Sequence, residues 1–265
     1  MAVWVWAIVA LAGAVAVGIL LFRMVFVPWG TRWGATPDEC QARMAGDGFF
    51  DEDANGRRRV VMTRAVSIAA PEESVWPWVA QLGRGAGFYS FDRIDNGGKR
   101  SAQHVVSWIP APALGDASAI GYLRHVEPGR ELAWWVPGER FLGADTRMVA
   151  NLRVSAEGDG ARLVIRMSAD AMGRTAGLVR NGFILVDSLM ARRQLLGIKE
   201  RAERYGTRRE DPERPETRAR DQFQRYEVVY AAGGAAGVPG KERAVLWHER
   251  AVEDLHERFG RAASD

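Results

Sequence analysis

Gln81, Tyr89, Ser90 and Asp92 flank a glycine turn, Gly83-Arg84-Gly85-Ala86-Gly87. A tyrosine hydroxyl beside a carboxylate acceptor can orient a ligand carbonyl or hydroxyl, or move a proton. The same side chains can instead fix the loop by bonding its backbone, since buried polar groups must be paired. The loop-fixing use outweighs the catalytic one, because the spacing sets neither a substrate pose nor a pKa. Tyr89 and Asp92 are thus the catalytic candidates, while Gln81, Tyr89 and Ser90 are candidates for binding a ligand. No metal is expected: His104, His125, His248 and His256 are scattered, and no His/Cys/Asp cluster has ligand spacing. No cofactor is expected either, since the glycine run lacks both the phosphate-loop Lys-Ser/Thr and the dinucleotide spacing.

These residues need elements to hold them. Pro71-Glu72-Glu73-Ser74 opens a helix, with proline at the start and two acids in the first turn. Val75, Trp76, Val79 and Leu82 follow at helical spacing, and Trp78 joins the ligand-lining candidates. Residues 60–70 form a strand before it. After the glycine turn, 120–127 and 131–136 are strands around Pro128-Gly129, a pair that favours a type II turn. Residues 148–156 and 162–169 form a hairpin, with Met148, Ala150, Leu152, Val154, Leu163, Ile165 and Met167 on one buried face. Trp134 and Trp135 share a strand, so their rings face opposite sides. One is inward and lines a cavity or packs a core; the other lies outside or under a loop. Leu152, Ile165 and Phe183 complete the expected lining. From Gly177 to Tyr205 the period is helical, with a stripe of Val179, Phe183, Val186 and Met190 and with Leu185, Leu189 and Leu196 beside it.

The order is strand, helix, antiparallel strands, long helix. An α+β helix grip satisfies it: a curved antiparallel sheet needs its inner face covered, and the helix needs somewhere to bury its stripe. Such a grip encloses a cavity wherever side chains leave it unfilled.

The first residues are a different material. Met1 to Phe22 carry no charged side chain, and 22 residues at about 1.5 Å rise span roughly 33 Å, the thickness of a bilayer core. Trp4 and Trp6 lie at one end of this stretch and Trp29 and Trp33 past the other, where interfacial aromatics belong. A retained single-pass membrane anchor over 1–28 is expected rather than a cleaved signal, because no basic residue precedes the run and no small-x-small site follows it. Arg23 and Arg32 precede the first acids, Asp38 and Glu39, which places the body in the cytoplasm. The chain has 265 residues, 47% of them hydrophobic, and Cys40 is its only cysteine. Wholesale disorder and a disulfide scaffold are both excluded. With 36 basic and 33 acidic residues the net charge is +3, a poor footprint for nucleic acid. Thr36-Pro37-Asp38-Glu39 reads as a capping box. Residues 29–206 form the grip domain and 207–222 a charged linker. Residues 223–265 form a small extension with an amphipathic helix over 242–259, anchored by Trp247 and able to bind a protein partner.

Several stretches resemble the START-related, polyketide-cyclase-like (SRPBCC) superfamily, most of all a bacterial subgroup with an N-terminal membrane helix. They are Arg32 to Thr36 with Glu39, Gly46-Asp47, the run from Thr63 to Asp92 with Asn96, Gly115-Asp116, and Met190 to Glu203. Arg225 to Ala231 and Pro239 to Ala251 resemble an extension found in some members. The resemblance implies a helix-grip (START/Bet v 1-like) fold with a hydrophobic cavity. Such proteins bind lipids, sterols, hormones or polyketides, and some catalyse cyclisation or dehydration. Two places depart from the subgroup pattern: Arg93-Ile94-Asp95 stands in place of Trp-Leu-Glu, and Gln103-His104 in place of Asp-Arg. The function expected is a membrane-anchored, non-catalytic module for a lipid or polyketide-like small molecule. The alternatives are a cyclase or dehydratase using Tyr89 and Asp92, and an interaction protein acting through its tail.

Overall fold

A computed structural model describes residues 2–50, 58–107, 109–118 and 121–206. The expectations for the linker, the tail, Trp108 and Trp247 lie outside the described residues. The chain opens with helix α1 (Ala2–Leu21), which passes through a π-helical turn (Phe22–Phe26) into α2 (Val27–Arg32). The helix is long and apolar enough to cross a membrane, by length and composition. A short α3 (Pro37–Gln41) and a 3-10 turn (Ala45–Phe50) lead to strand β1 (Arg58–Ile68). Helices α4 (Glu72–Ala80) and α5 (Asp92–Asp95) precede β2 (Ala117–Ser118), β3 (Gly121–Glu127), β4 (Glu131–Phe141), β5 (Ala144–Glu157) and β6 (Gly160–Met172). The described chain closes with the 30-residue α6 (Ala176–Tyr205).

The strands form one antiparallel sheet in the order β1-β6-β5-β4-β3-β2. The hairpin expected at 148–169 is longer, pairing Asp145 with Met172 at one end and Glu157 with Gly160 at the other. Gly129 has φ +82° in the β3–β4 turn, as a type II turn requires. Register shifts between Leu123 and His125 and between Val136 and Glu139 bend the long strands, which gives the sheet its curvature. Helix α6 packs across β1 and β6, and α4 lies over β5 and β6. The α+β helix grip expected from the element order is the fold.

Two expectations fail. First, the β5–β6 hairpin is buried on both faces, not one. Asn151, Arg166, Ser168 and Asp170 alternate with the apolar residues as solvent-facing residues would, yet all are buried. The cause is the segment 33–50. It pairs with the free edge of β1, where the Ala65 N–H donates to Trp33 O at 3.1 Å, and then crosses the outer face. Trp33 accordingly packs against the core, beneath the Arg192 guanidinium. Second, the buried stripe of α6 is Ile184, Ser188, Ala191, Leu195, Ile198 and Ala202, while Leu185, Val186 and Leu189 are exposed. Small residues take the inner positions because backbone must come close there. A Cβ on Gly30 would collide with the Ser188 side chain, and a Cβ on Gly197 would collide with the Tyr89 carbonyl oxygen.

Candidate functional site

The glycine turn after α4 wraps onto the middle of α6. Gly83, Gly85 and Gly87 all have positive φ, and so does Tyr89, at +57°. That backbone is rarely tolerated outside glycine, so surrounding bonds must hold it. They are present. The Tyr89 N–H donates to Ser101 Oγ at 3.1 Å, Ser90 Oγ donates to Met190 O at 3.0 Å, and Gln194 Nε2 donates to Phe88 O at 3.0 Å. Ser101 Oγ in turn donates to Asp92 Oδ1 at 2.6 Å. The Gln81 amide donates to Tyr89 Oη at 2.6 Å and accepts from the Val106 N–H at 2.8 Å. Arg201 lies 4.8 Å over the Tyr89 ring, and Trp78 meets that ring edge-on at 5.9 Å.

This geometry brings Gln81, Tyr89, Ser90 and Asp92 into one network, but it does not join the phenol to the carboxylate. Tyr89 Oη is held by Gln81, and Asp92 is held by Ser101. Burial pushes the Tyr89 hydroxyl well above the usual tyrosine range, against the pull of Gln81 and Arg201, so the phenol stays protonated at neutral pH. Asp95, beside Asp92, is also raised, first by burial and then by the Asp92 charge. Chemically, the network positions a neutral phenol and shapes a loop.

The inner sheet face supplies the remaining candidates. Trp134 pairs in register with Leu123 and Ala150 and is fully buried in the cluster holding Trp78, Tyr89, Leu152, Ile165 and Leu195. The Trp134 indole N–H has no hydrogen-bond partner among the described residues. Trp78, by contrast, donates to Gly206 O at 3.1 Å. Trp135 faces outward and packs under Phe49 and Phe50, away from the inner face. Phe183 is half-buried and stands outside the inner cluster. Among the described residues, no group of three or more His, Cys, Asp or Glu side chains can hold a metal ion.

Sequence reasoning missed Ser101, Arg201 and Gly197. Only Gly197 carried a signal: an isolated glycine inside a helix costs about 1 kcal/mol against alanine, and here it admits a backbone carbonyl.

No family model matches the chain, and no curated protein matches it. Solved structures do. A crystal structure of a protein from Mesorhizobium loti is similar at 17% identity and TM-score 0.34, over 56% of this chain and 98% of that one. The di-domain ARO/CYC StfQ from the steffimycin biosynthetic pathway is similar at 11% identity and TM-score 0.34, over 55% of this chain and 51% of its own. The Aha1 dimer from Colwellia psychrerythraea, a solution structure, is similar at 11% identity and TM-score 0.31, over 55% of this chain and 97% of that one.

Proposed function

We propose that the protein is a membrane-anchored helix-grip module that binds a hydrophobic or amphipathic small molecule, lipid or polyketide-like, between sheet and long helix, without catalysing its conversion. The observation that carries this reading is the Trp134 indole. A donor buried with no partner costs about 1–3 kcal/mol, and native proteins seldom tolerate one without a use. An otherwise apolar ligand with one carbonyl or hydroxyl oxygen would satisfy it. The resemblance of residues 63–92 to the SRPBCC superfamily supports the same reading. The bonding of Tyr89 to Gln81 and of Asp92 to Ser101 supports loop-fixing roles for both and speaks against a cyclase or dehydratase relay. The uncharged helix over 4–21 supports the anchor, and Arg23 and Arg32, ahead of the first acids, favour a cytoplasmic body.

The test is native mass spectrometry of the full chain purified from membranes, followed by extraction and re-addition of the extracted lipid fraction. The expected result is a retained apolar molecule of unchanged mass, with occupancy reduced severalfold in Trp134→Phe. A chain that carries no small molecule and takes none back overturns the proposal. A molecule released at altered mass moves the protein to the enzyme reading.

A further inference from the structure

Seven of the body's exposed large apolar residues run from the β4–β5 hairpin tip along β6 and α6, while Val61, Phe91, Ile94 and Leu114 are exposed in other segments. The β4–β5 hairpin tip presents Phe141 and Leu142, which are 55% and 66% exposed. Thr175 Oγ1 donates to Leu142 O at 2.7 Å, so the tip sits against the start of α6. Met172, Leu178, Leu185, Val186 and Leu189 continue the patch along β6 and α6, and Leu178 is 70% exposed. Of these, Leu185, Val186 and Leu189 belong to the stripe expected to face the core, turned outward. Isolated surface leucines need no account, but a contiguous patch of this kind marks an interaction surface.

Charge narrows the partner. Residues 171–186 contain Arg174 and Arg180 and no acid, and Arg140 precedes the hairpin tip. The acids that bracket the stretch are engaged: Asp170 pairs with Arg147 at 2.7 Å, and Asp187 pairs with Arg64 at 2.6 Å. Asp145, opposite Arg140 in the strand register, is exposed. An apolar patch rimmed by arginine suits the headgroup layer of an anionic bilayer.

The course of the N-terminal helix places that layer. Gly30 packs on Ser188, and Trp33 lies under Arg192, so α2 and α6 advance in the same direction. Traced back, the helix runs toward the start of α6, where the hairpin tip lies. Phe22, Phe26, Val27 and Gly30 are partly or fully covered, whereas every side chain from Trp4 to Leu21 is exposed. The apolar helix therefore leaves the body at the end that carries the patch.

From this juxtaposition we infer that Phe141, Leu142 and the exposed first half of α6 lie in the headgroup layer of an anionic bilayer, seating the grip on the membrane beside its own anchor. The inference rests on the anchor reading, and the experiment separates the two. Single cysteines are placed at Leu142, Leu178, Ala10 and Asp159 in a Cys40→Ser background of the full chain. Each carries a nitroxide label, and the proteins are reconstituted in phosphatidylcholine vesicles with or without phosphatidylglycerol. Accessibility to oxygen and to a water-soluble nickel chelate reports depth. Asp159, in the β5–β6 turn at the far end of the sheet, is the aqueous reference. The expected result is that labels at 142 and 178 favour oxygen over nickel several times more than the label at 159, and more so in anionic vesicles. Labels at 142 and 178 that read like 159, while the label at 10 reads as lipid, overturn the inference and leave the anchor standing. An aqueous reading at 10 overturns both. Shielding of 142 and 178 from oxygen and nickel alike overturns it in favour of a protein cover, either a second copy or the tail. Equal readings in the two vesicles overturn the anionic assignment.

Discussion

The two faces of the sheet are held by different forces. The inner face is apolar: Leu123, Leu132, Trp134, Leu152, Leu163 and Ile165 meet Leu195 and Ile198 of α6. The outer face adds a web of charge to two smaller apolar clusters, one around Trp135 and one around Met44. Arg166 Nε donates to Thr63 Oγ1 at 2.9 Å, and its Nη atoms donate to Asp47 and to the carbonyls of Ala42, Glu39 and Cys40. Asn151 and Glu131 accept the Gly46 and Ala45 N–H groups at 2.6 and 2.9 Å. Arg162 grips Glu39 with two bonds and also reaches Gly34 O. Burying apolar area is non-directional and tolerates changes of shape. A charge-assisted web is directional, and each missing partner strands another group. One face packs side chain on side chain, and the other clasps a fixed piece of backbone.

Four substitutions put this contrast to the test. Arg166→Met gives the largest effect, a loss of about 3–5 kcal/mol, because it removes the ion pair to Asp47 and leaves Thr63 and several carbonyls of the clasp without their donor. Chemical denaturation in detergent micelles measures it, and a loss near zero would mean that the outer web is ornamental. Leu152→Ala on the inner face costs about 2–5 kcal/mol, and the loss is independent of salt, unlike the Arg166 effect. Thr36→Ala removes the cap of α3, whose hydroxyl accepts the Glu39 N–H at 3.2 Å, and costs about 1 kcal/mol. The smallest effect is on pH dependence. Arg162 holds the Glu39 carboxyl below its ordinary value of 4.5, against the opposing pull of burial. A depressed folded value means that the unfolded chain binds the proton first. This stabilisation is therefore present above pH 4.5 and is lost as pH falls through the folded value. Glu39→Gln should remove that part of the acid sensitivity, read as convergence of the two midpoints at low pH.

The inner face was legible in the sequence and the outer face was not. Period-two alternation placed Leu152 and Ile165 inward, and adjacency in one strand required Trp134 and Trp135 to face opposite ways. Alternation cannot say whether Arg166 or Asn151 meets water or another layer, because a residue that clasps backbone has the same polarity as one that is solvated. The resemblance run at Arg32 to Glu39 and Gly46-Asp47 did fall on the clasp, and Gly46 lies where a Cβ would strike Val149 and Asn151. The stripe of α6 was misphased for a related reason. Hydrophobic period marks large apolar residues, whereas the packed side of this helix is selected for smallness, at Ser188, Ala191, Gly197 and Ala202. Gln81, Tyr89, Ser90 and Asp92 were found as a group, with the phenol matched to Asp92 rather than to Gln81, and Ser101 was invisible, since nothing local to it announces the loop it closes.

Arg64 has a mechanical consequence. Its Nε donates to Gly30 O at 2.5 Å, Nη1 to Asp187 at 2.6 Å and Nη2 to Ser188 Oγ at 3.1 Å. One strand side chain thus rivets the end of the N-terminal helix to both the sheet and α6. A domain on a loose tether swivels independently of its anchor, whereas a riveted one turns with it. If the helix spans a bilayer, any tilt forced on it by membrane thickness is delivered through this joint as torque on β1 and α6, the two elements that grip.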